Sequence, residues 1–169
     1  MSDLKAICPP PPLSASRSYN WTDVERQVGF TLPGDYKELI QSYGQGSFAR
    51  FIHVFQPSTA FPAIDIRSAP SEILETLRSV KSEGFSIPFD LESLFPVGVS
   101  DNGNYVFWRM DEFGSPDLWG IAVNEPRGER WDSFSGNLTE FLAAVLSGER
   151  RVPMFPGDLL SQQPTFDAY

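Results

Sequence analysis

Through the first half of the chain, apolar residues recur at helical spacing between glycine and proline stops, whereas the second half holds short runs rich in aromatic and β-branched residues. Trp21, Val24 and Val28 lie three and four apart and so share one face of a short first helix, with Asn20 placed to cap it and Gly29 to end it in a left-handed turn. Pro33 suits the first turn of a second helix, whose Tyr36, Leu39, Ile40 and Tyr43 form a single apolar stripe up to Gly44. The run Phe51 to Phe55 reads as a buried or half-buried strand closed by Pro57. After an irregular stretch, Ile73, Leu74, Leu77 and Val80 predict a third helix that starts near Pro70 and stops at Gly84, with Glu72, Glu75 and Arg78 outward.

From Phe95 the period changes. Phe95 to Val99, Tyr105 to Met110, Leu118 to Val123 and Arg130 to Phe134 read as successive strands of an antiparallel meander. Asp101-Asn102-Gly103 suits a tight hairpin, because Asn and Gly tolerate positive φ, and Glu125-Pro126-Arg127-Gly128 suits the next reversal. Asn137 with Glu140 three residues on predicts a reciprocal cap for a last helix, whose Leu138, Phe141, Leu142 and Val145 face the sheet before Gly148 ends it. In the strand Tyr105 to Met110 both alternating sets are largely apolar, so either both faces are covered or one docks a partner.

These elements predict an α+β fold with helices packed on one face of a mostly antiparallel sheet. Residues 1–18 read as a proline- and serine-rich leader, in which the run Pro9 to Pro12 followed by Ser14, Ser16 and Ser18 favours extended, solvated backbone. Residues 19–150 read as one domain. The tail, residues 151–169, keeps Met154, Phe155, Leu159, Leu160 and Phe166, enough apolar surface for part of it to pack.

Length and composition agree: 169 residues, 41% of them hydrophobic, can bury one substantial core. Thirteen Lys and Arg against 22 Asp and Glu leave a net charge of −9, which disfavours nucleic acid and favours a basic protein partner. Met1 to Cys8 lacks an apolar run of signal-peptide length, and nowhere do about 18 consecutive apolar residues occur, so a soluble cytoplasmic protein with no membrane association is expected. Cys8, the single cysteine, fits a reducing compartment and is not read as a nucleophile. Asn20-Trp21-Thr22 and Asn137-Leu138-Thr139 match the glycosylation pattern but read as helix caps.

Candidate chemistry is sparse. His53, the only histidine, lies between Ile52 and Val54 with no second metal ligand in the pattern, and reads as structural or surface. Paired Cys-x-x-Cys or His-Glu-x-x-His sets do not occur, so neither metal nor cofactor is expected. Gly44-Gln45-Gly46 follows a helix instead of preceding one, the reverse of a phosphate loop. Asp111, Glu112 and Asp117 share one connection with Trp119, a charge-ringed aromatic of the kind that recurs in protein interfaces. With Asp101 and Asn102 on the hairpin tip, these are the expected partner contacts, and no catalytic residue is assigned.

Trp21-x-x-Val24-Glu25, Gly29, Leu32-Pro33-x-Asp35-Tyr36 and Tyr43-Gly44-x-Gly46 are followed by Phe95-Pro96-Val97-Gly98, Asn102-Gly103, Trp119 and Trp131. This order of landmarks, from Trp21 to Gly148, resembles the SUKH superfamily, which includes yeast cell-wall regulators of the Smi/Knr type and bacterial immunity proteins that neutralise polymorphic toxins, often nucleases. The resemblance implies a single α+β domain without catalytic residues whose outer surfaces bind a partner. Trp21, Leu32, Pro33, Tyr36, Tyr43, Gly44 and Gly103 would then be frame positions.

The leading expectation is a cytoplasmic immunity protein that blocks a basic toxin domain by direct binding. The alternative is a regulatory or scaffold protein of the same fold in cell-wall or envelope signalling. A small hydrolase or nucleotide-binding enzyme ranks third, and would need a polar pocket near Asp111 or Asp101.

Overall fold

In a computed structural model describing residues 1–12, 18–57, 59–110, 114–126 and 129–169, the meander extends into a seven-stranded antiparallel sheet. The strands are β1 (Gly46–Phe48), β2 (Ile52–Val54), β3 (Leu94–Ser100), β4 (Tyr105–Arg109), β5 (Gly120–Asn124), β6 (Trp131–Phe134) and β7 (Phe166–Ala168), in the order β6-β5-β4-β3-β2-β1-β7. The helices among the described residues are α1 (Ser2–Ile7), α2 (Trp21–Val28), α3 (Gly34–Tyr43), α4 (Ala69–Ser82) and α5 (Leu138–Ser147). The fold is α+β, as expected.

The sequence landmarks hold the helical frame by hydrogen bonds that span turns. Gly29, at φ +92°, ends α2 in the left-handed region. In the last turn of α2, the Glu25 carboxylate then accepts the Leu32 amide at 2.9 Å and pairs with Lys37 at 2.5 Å, clamping the elbow into α3. Asp35 accepts the Thr139 amide at 3.0 Å, in the first turn of α5. The Tyr36 hydroxyl donates to the Phe55 carbonyl at 2.8 Å, and that of Tyr43 to the Cys8 carbonyl at 2.6 Å. The Asn137–Glu140 capping box forms as expected, each side chain accepting the other residue's amide at 3.0 Å.

Both faces of the sheet are covered. Phe95, Trp108, Ile121 and Phe134 lie in one row across β3 to β6. Tyr36 of α3 packs edge-on against Trp108 at 5.2 Å between ring centroids, and Phe141 of α5 meets Phe134 at 5.8 Å. On the opposite face Phe107 packs on Trp131, which meets Phe89. There α4 lies with Ile73, Leu77 and Val80 beside Tyr105 and Trp131. The expected single helical face is built by α3 and α5, while α4 takes the other. With Phe107 and Trp108 alternating in β4 and both almost fully buried, the strand needs a cover on each side.

Both ends of the chain pack on the domain. Residues 2–7, inside the expected leader, form a helix, and Leu4 and Cys8, four apart, are both fully buried in a segment that packs on α5. In the tail, Val152 and Phe155 are buried, and β7 pairs with β1. Phe166 rests on Tyr43 and Phe48, with ring centroids 5.1 and 4.9 Å away, and Gly46 makes room for it. The three-residue strands β1 and β7 are not flanked by an apolar run as β2 is, so they carry too little pattern to be read from sequence.

Candidate functional site

The connection into β5 does not present Trp119 as a surface anchor. A single turn of 3-10 helix, Pro116–Leu118, aims the Asp117 carboxylate at the start of α3, where it accepts the Gly34 amide at 2.6 Å. That tether turns the next ring inward: Trp119 is only 7% exposed and packs against Phe30 and Trp108, at 5.4 and 6.0 Å. Its expected role as an exposed aromatic contact is therefore corrected to a core role, while Asp117 and Leu118 of the turn are exposed. Asp111 and Glu112, and Arg127 and Gly128 of the later reversal, lie outside the described residues.

The hairpin tip between β3 and β4 is built differently. Gly103, at φ +79°, closes the reversal and leaves Asp101 and Asn102 exposed. Beneath them the chain is fixed by buried polar groups. The Ser100 hydroxyl donates to the Asn104 side chain at 2.9 Å and accepts the Asn104 amide at 3.1 Å. Asn104 donates in turn to the Asn124 carbonyl at 3.0 Å, and the Asn124 side chain accepts the Tyr105 amide at 2.8 Å. A fully paired buried network of this kind holds one geometry.

Strand register brings a second element to the tip. His53 of β2 stands opposite Val99 of β3, so its ring lies on the α4 face of the sheet beside the hairpin root. Its Nε2 meets an Asp101 carboxylate oxygen at 2.6 Å, and its Nδ1 meets the Tyr169 hydroxyl at 2.7 Å. A carboxylate oxygen accepts, so Nε2–H donates to Asp101, and in the neutral tautomer that this fixes the Tyr169 hydroxyl donates to Nδ1. Burial, and then the charge of Asp101, push the Tyr169 phenol above its usual range, which keeps that hydroxyl a donor. Phe61, Ile64 and Val99 complete an open depression of about 380 Å³ around these groups. Phe61 and Tyr169 are each 55% exposed.

The other perturbed groups sit in the frame. The Lys37 hydrogen bond holds the Glu25 carboxyl below its usual range. Burial raises that of Asp35 despite the Thr139 amide. Burial, with a smaller push from Asp167, raises the Cys8 thiol to about 11, which keeps it protonated and unreactive at neutral pH. Among the described residues no group of three or more His, Cys, Asp or Glu side chains could hold a metal ion, and no helix is long and apolar enough to cross a membrane.

Of the six residues expected to contact a partner, the structure thus joins Asp101 and Asn102 on one exposed tip, ties the exposed Asp117 to the start of α3 and buries Trp119. Sequence reasoning missed Phe61 and Tyr169 and gave His53 no site. No spacing links positions 53, 61, 101 and 169, and only strand register and the return of the tail unite them.

A family model named SUKH_6 and described as SMI1-KNR4 cell-wall matches residues 19–142. No curated protein and no solved structure matches the chain.

Proposed function

Because this chain belongs to the SUKH (SMI1-KNR4) family, we propose that it is a non-catalytic protein-binding module, and that it serves as an immunity protein holding a basic toxin domain in an inactive complex. Domains of this family are generally binding modules without catalysis. Family membership together with the net charge of −9 carries the reading. An acidic surface accelerates encounter with a basic partner and penalises acidic ones, so affinity for the right toxin comes with rejection of wrong ones. The outward tip with Asp101 and Asn102 supports it further, because its buried supports let the side chains meet a partner without first being ordered.

The test is co-expression. A sensitive host producing the toxin domain encoded beside this gene should regain growth when the chain is supplied in the same cell. The purified pair should associate more slowly as salt is raised, by the screening of exposed charge. Failure to rescue from any neighbouring gene product, with several envelope-synthesis proteins retained in its place, would overturn the immunity reading in favour of a cell-wall scaffold.

A further inference from the structure

We propose that the depression bounded by Phe61, His53, Asp101 and Tyr169 receives an arginine side chain of the protein partner, its guanidinium paired with the Asp101 carboxylate and stacked on an exposed aromatic ring. This rests on the reading of the chain as an acidic protein-binding module and names where the basic partner engages it.

Three features of the depression converge. The described chain exposes four large hydrophobic side chains, Phe61, Phe85, Leu118 and Tyr169, and both Phe61 and Tyr169 fall within this one depression. Next to them, Asp101 is 55% exposed at its side chain and spends one oxygen on His53, leaving the other toward solvent. Among the described residues no lysine or arginine lines the depression, and Arg50 is turned to Asp167 at 3.4 Å, so His53 is the partner that Asp101 has within the described chain.

The chemistry of such a pocket selects its occupant. A phosphate or an acidic peptide is repelled by the carboxylate, and a purely apolar side chain would desolvate its second oxygen without giving it a partner. A guanidinium satisfies both components: its N–H fork fits a carboxylate, its flat face stacks on an aromatic ring, and its weak hydration makes transfer from water less costly than for an ammonium. The site is also rigid before binding. Asp101 stands on the Ser100–Asn104–Asn124 network, and Tyr169 is held by its amide to the Gln45 carbonyl at 3.2 Å and by its hydroxyl to His53. His53 is then a positioning residue, orienting both the acid and the ring.

The test titrates N-acetyl-arginine amide into the isotope-labelled full chain at low salt, with the lysine, leucine and glutamate amides alongside, followed by NMR. The proposal requires shifts confined to His53, Phe61, Val99, Asp101, Asn102 and Tyr169, larger for arginine than for the other three amides. Asp101→Asn should weaken this response by about tenfold or more, and Phe61→Ala by about three- to tenfold, with spectra elsewhere unchanged because both side chains are exposed. Shifts scattered over other acidic surfaces, an equal response in Asp101→Asn, or a stronger response to the leucine amide would overturn it. In the rescue assay, Asp101→Lys should abolish protection while the folded protein persists. Protection retained by Asp101→Lys would overturn this docking site and leave the immunity reading standing. Failure of the unmodified chain to protect would remove the immunity reading while the amide titration still decides the site.

Discussion

Tyr36→Phe isolates one hydrogen bond of the frame. The Tyr36 side chain is fully buried, packs edge-on against Trp108 at 5.2 Å and Trp21 at 6.1 Å, and donates its hydroxyl to the Phe55 carbonyl at 2.8 Å. Phenylalanine keeps the ring and its neighbours, so the packing term is nearly unchanged and the loss is that of a donor to a buried carbonyl. That costs about 1–3 kcal/mol, the desolvation of a group left without its partner. For a chain of this size it corresponds to about 2–4 °C of Tm per kcal/mol. Urea unfolding followed by tryptophan fluorescence should show a lower midpoint with an unchanged m-value, since the surface exposed on unfolding is the same. Tyr36→Leu removes the ring contacts as well and should cost roughly 3–5 kcal/mol, as large-to-small core changes do. A Tyr36→Phe protein within about 0.3 kcal/mol of the unmodified chain would refute the argument, because the Phe55 carbonyl would then have found another donor. Phe55 leads into Gln56, which bridges to Asp65 beyond the Phe61 segment. The arginine-amide response at Asp101 should nonetheless persist in Tyr36→Phe, since the ring still fills the core.

Glu25→Gln keeps an acceptor for the Leu32 amide but loses the ion pair with Lys37, and should cost about 1 kcal/mol at neutral pH. The folded-state pKa of Glu25 is depressed, so its contribution is present above about pH 4.3 and lost as pH falls through the lower folded value. Stability measured against pH should therefore fall less steeply on the acid side in the variant. Gly46→Ala places a methyl group 2.5 Å from the Phe166 ring and should dislodge β7. Hydrogen exchange should then lose protection at the amides of Tyr169 and Ala49, which donate to Gln45 and Thr165, while β3 to β5 stay protected. Trp119→Ala should cost roughly 3–5 kcal/mol in stability, as for a core ring, and a variant that remained as stable as the parent would return Trp119 to the surface.

Local signals carried the helices well. Asn20, Gly29, Asn137, Glu140 and Gly148 act within a few residues of themselves, and the caps and stops stand where those residues fall. The strands β2 to β5 were legible because they lie in runs of five or so apolar and β-branched residues between turns, which leave few other conformations, and β6 because two turn signals bracket its aromatic residues. Helix α1 and strands β1 and β7 were not, because each is short and exists only through what it packs on: Leu4 in the core beside α5, Phe166 over Gly46. Trp119 was misplaced because a single turn before a strand decides which way the next side chain points, and that turn is set by the distant Gly34 amide.

The sequence by itself determined the fold class, the frame landmarks, the acidic character and the family, since these depend on residue type and near-neighbour spacing. Only the tertiary structure decided that α4 covers the second face of the sheet, that Trp119 is internal, and that His53, Phe61, Asp101 and Tyr169 share one depression. Those outcomes depend on pairings across 40 to more than 100 residues, such as His53 with Asp101 at a separation of 48 and with Tyr169 at 116. Contacts at that range are made by chain closure and sheet register, which no local pattern encodes.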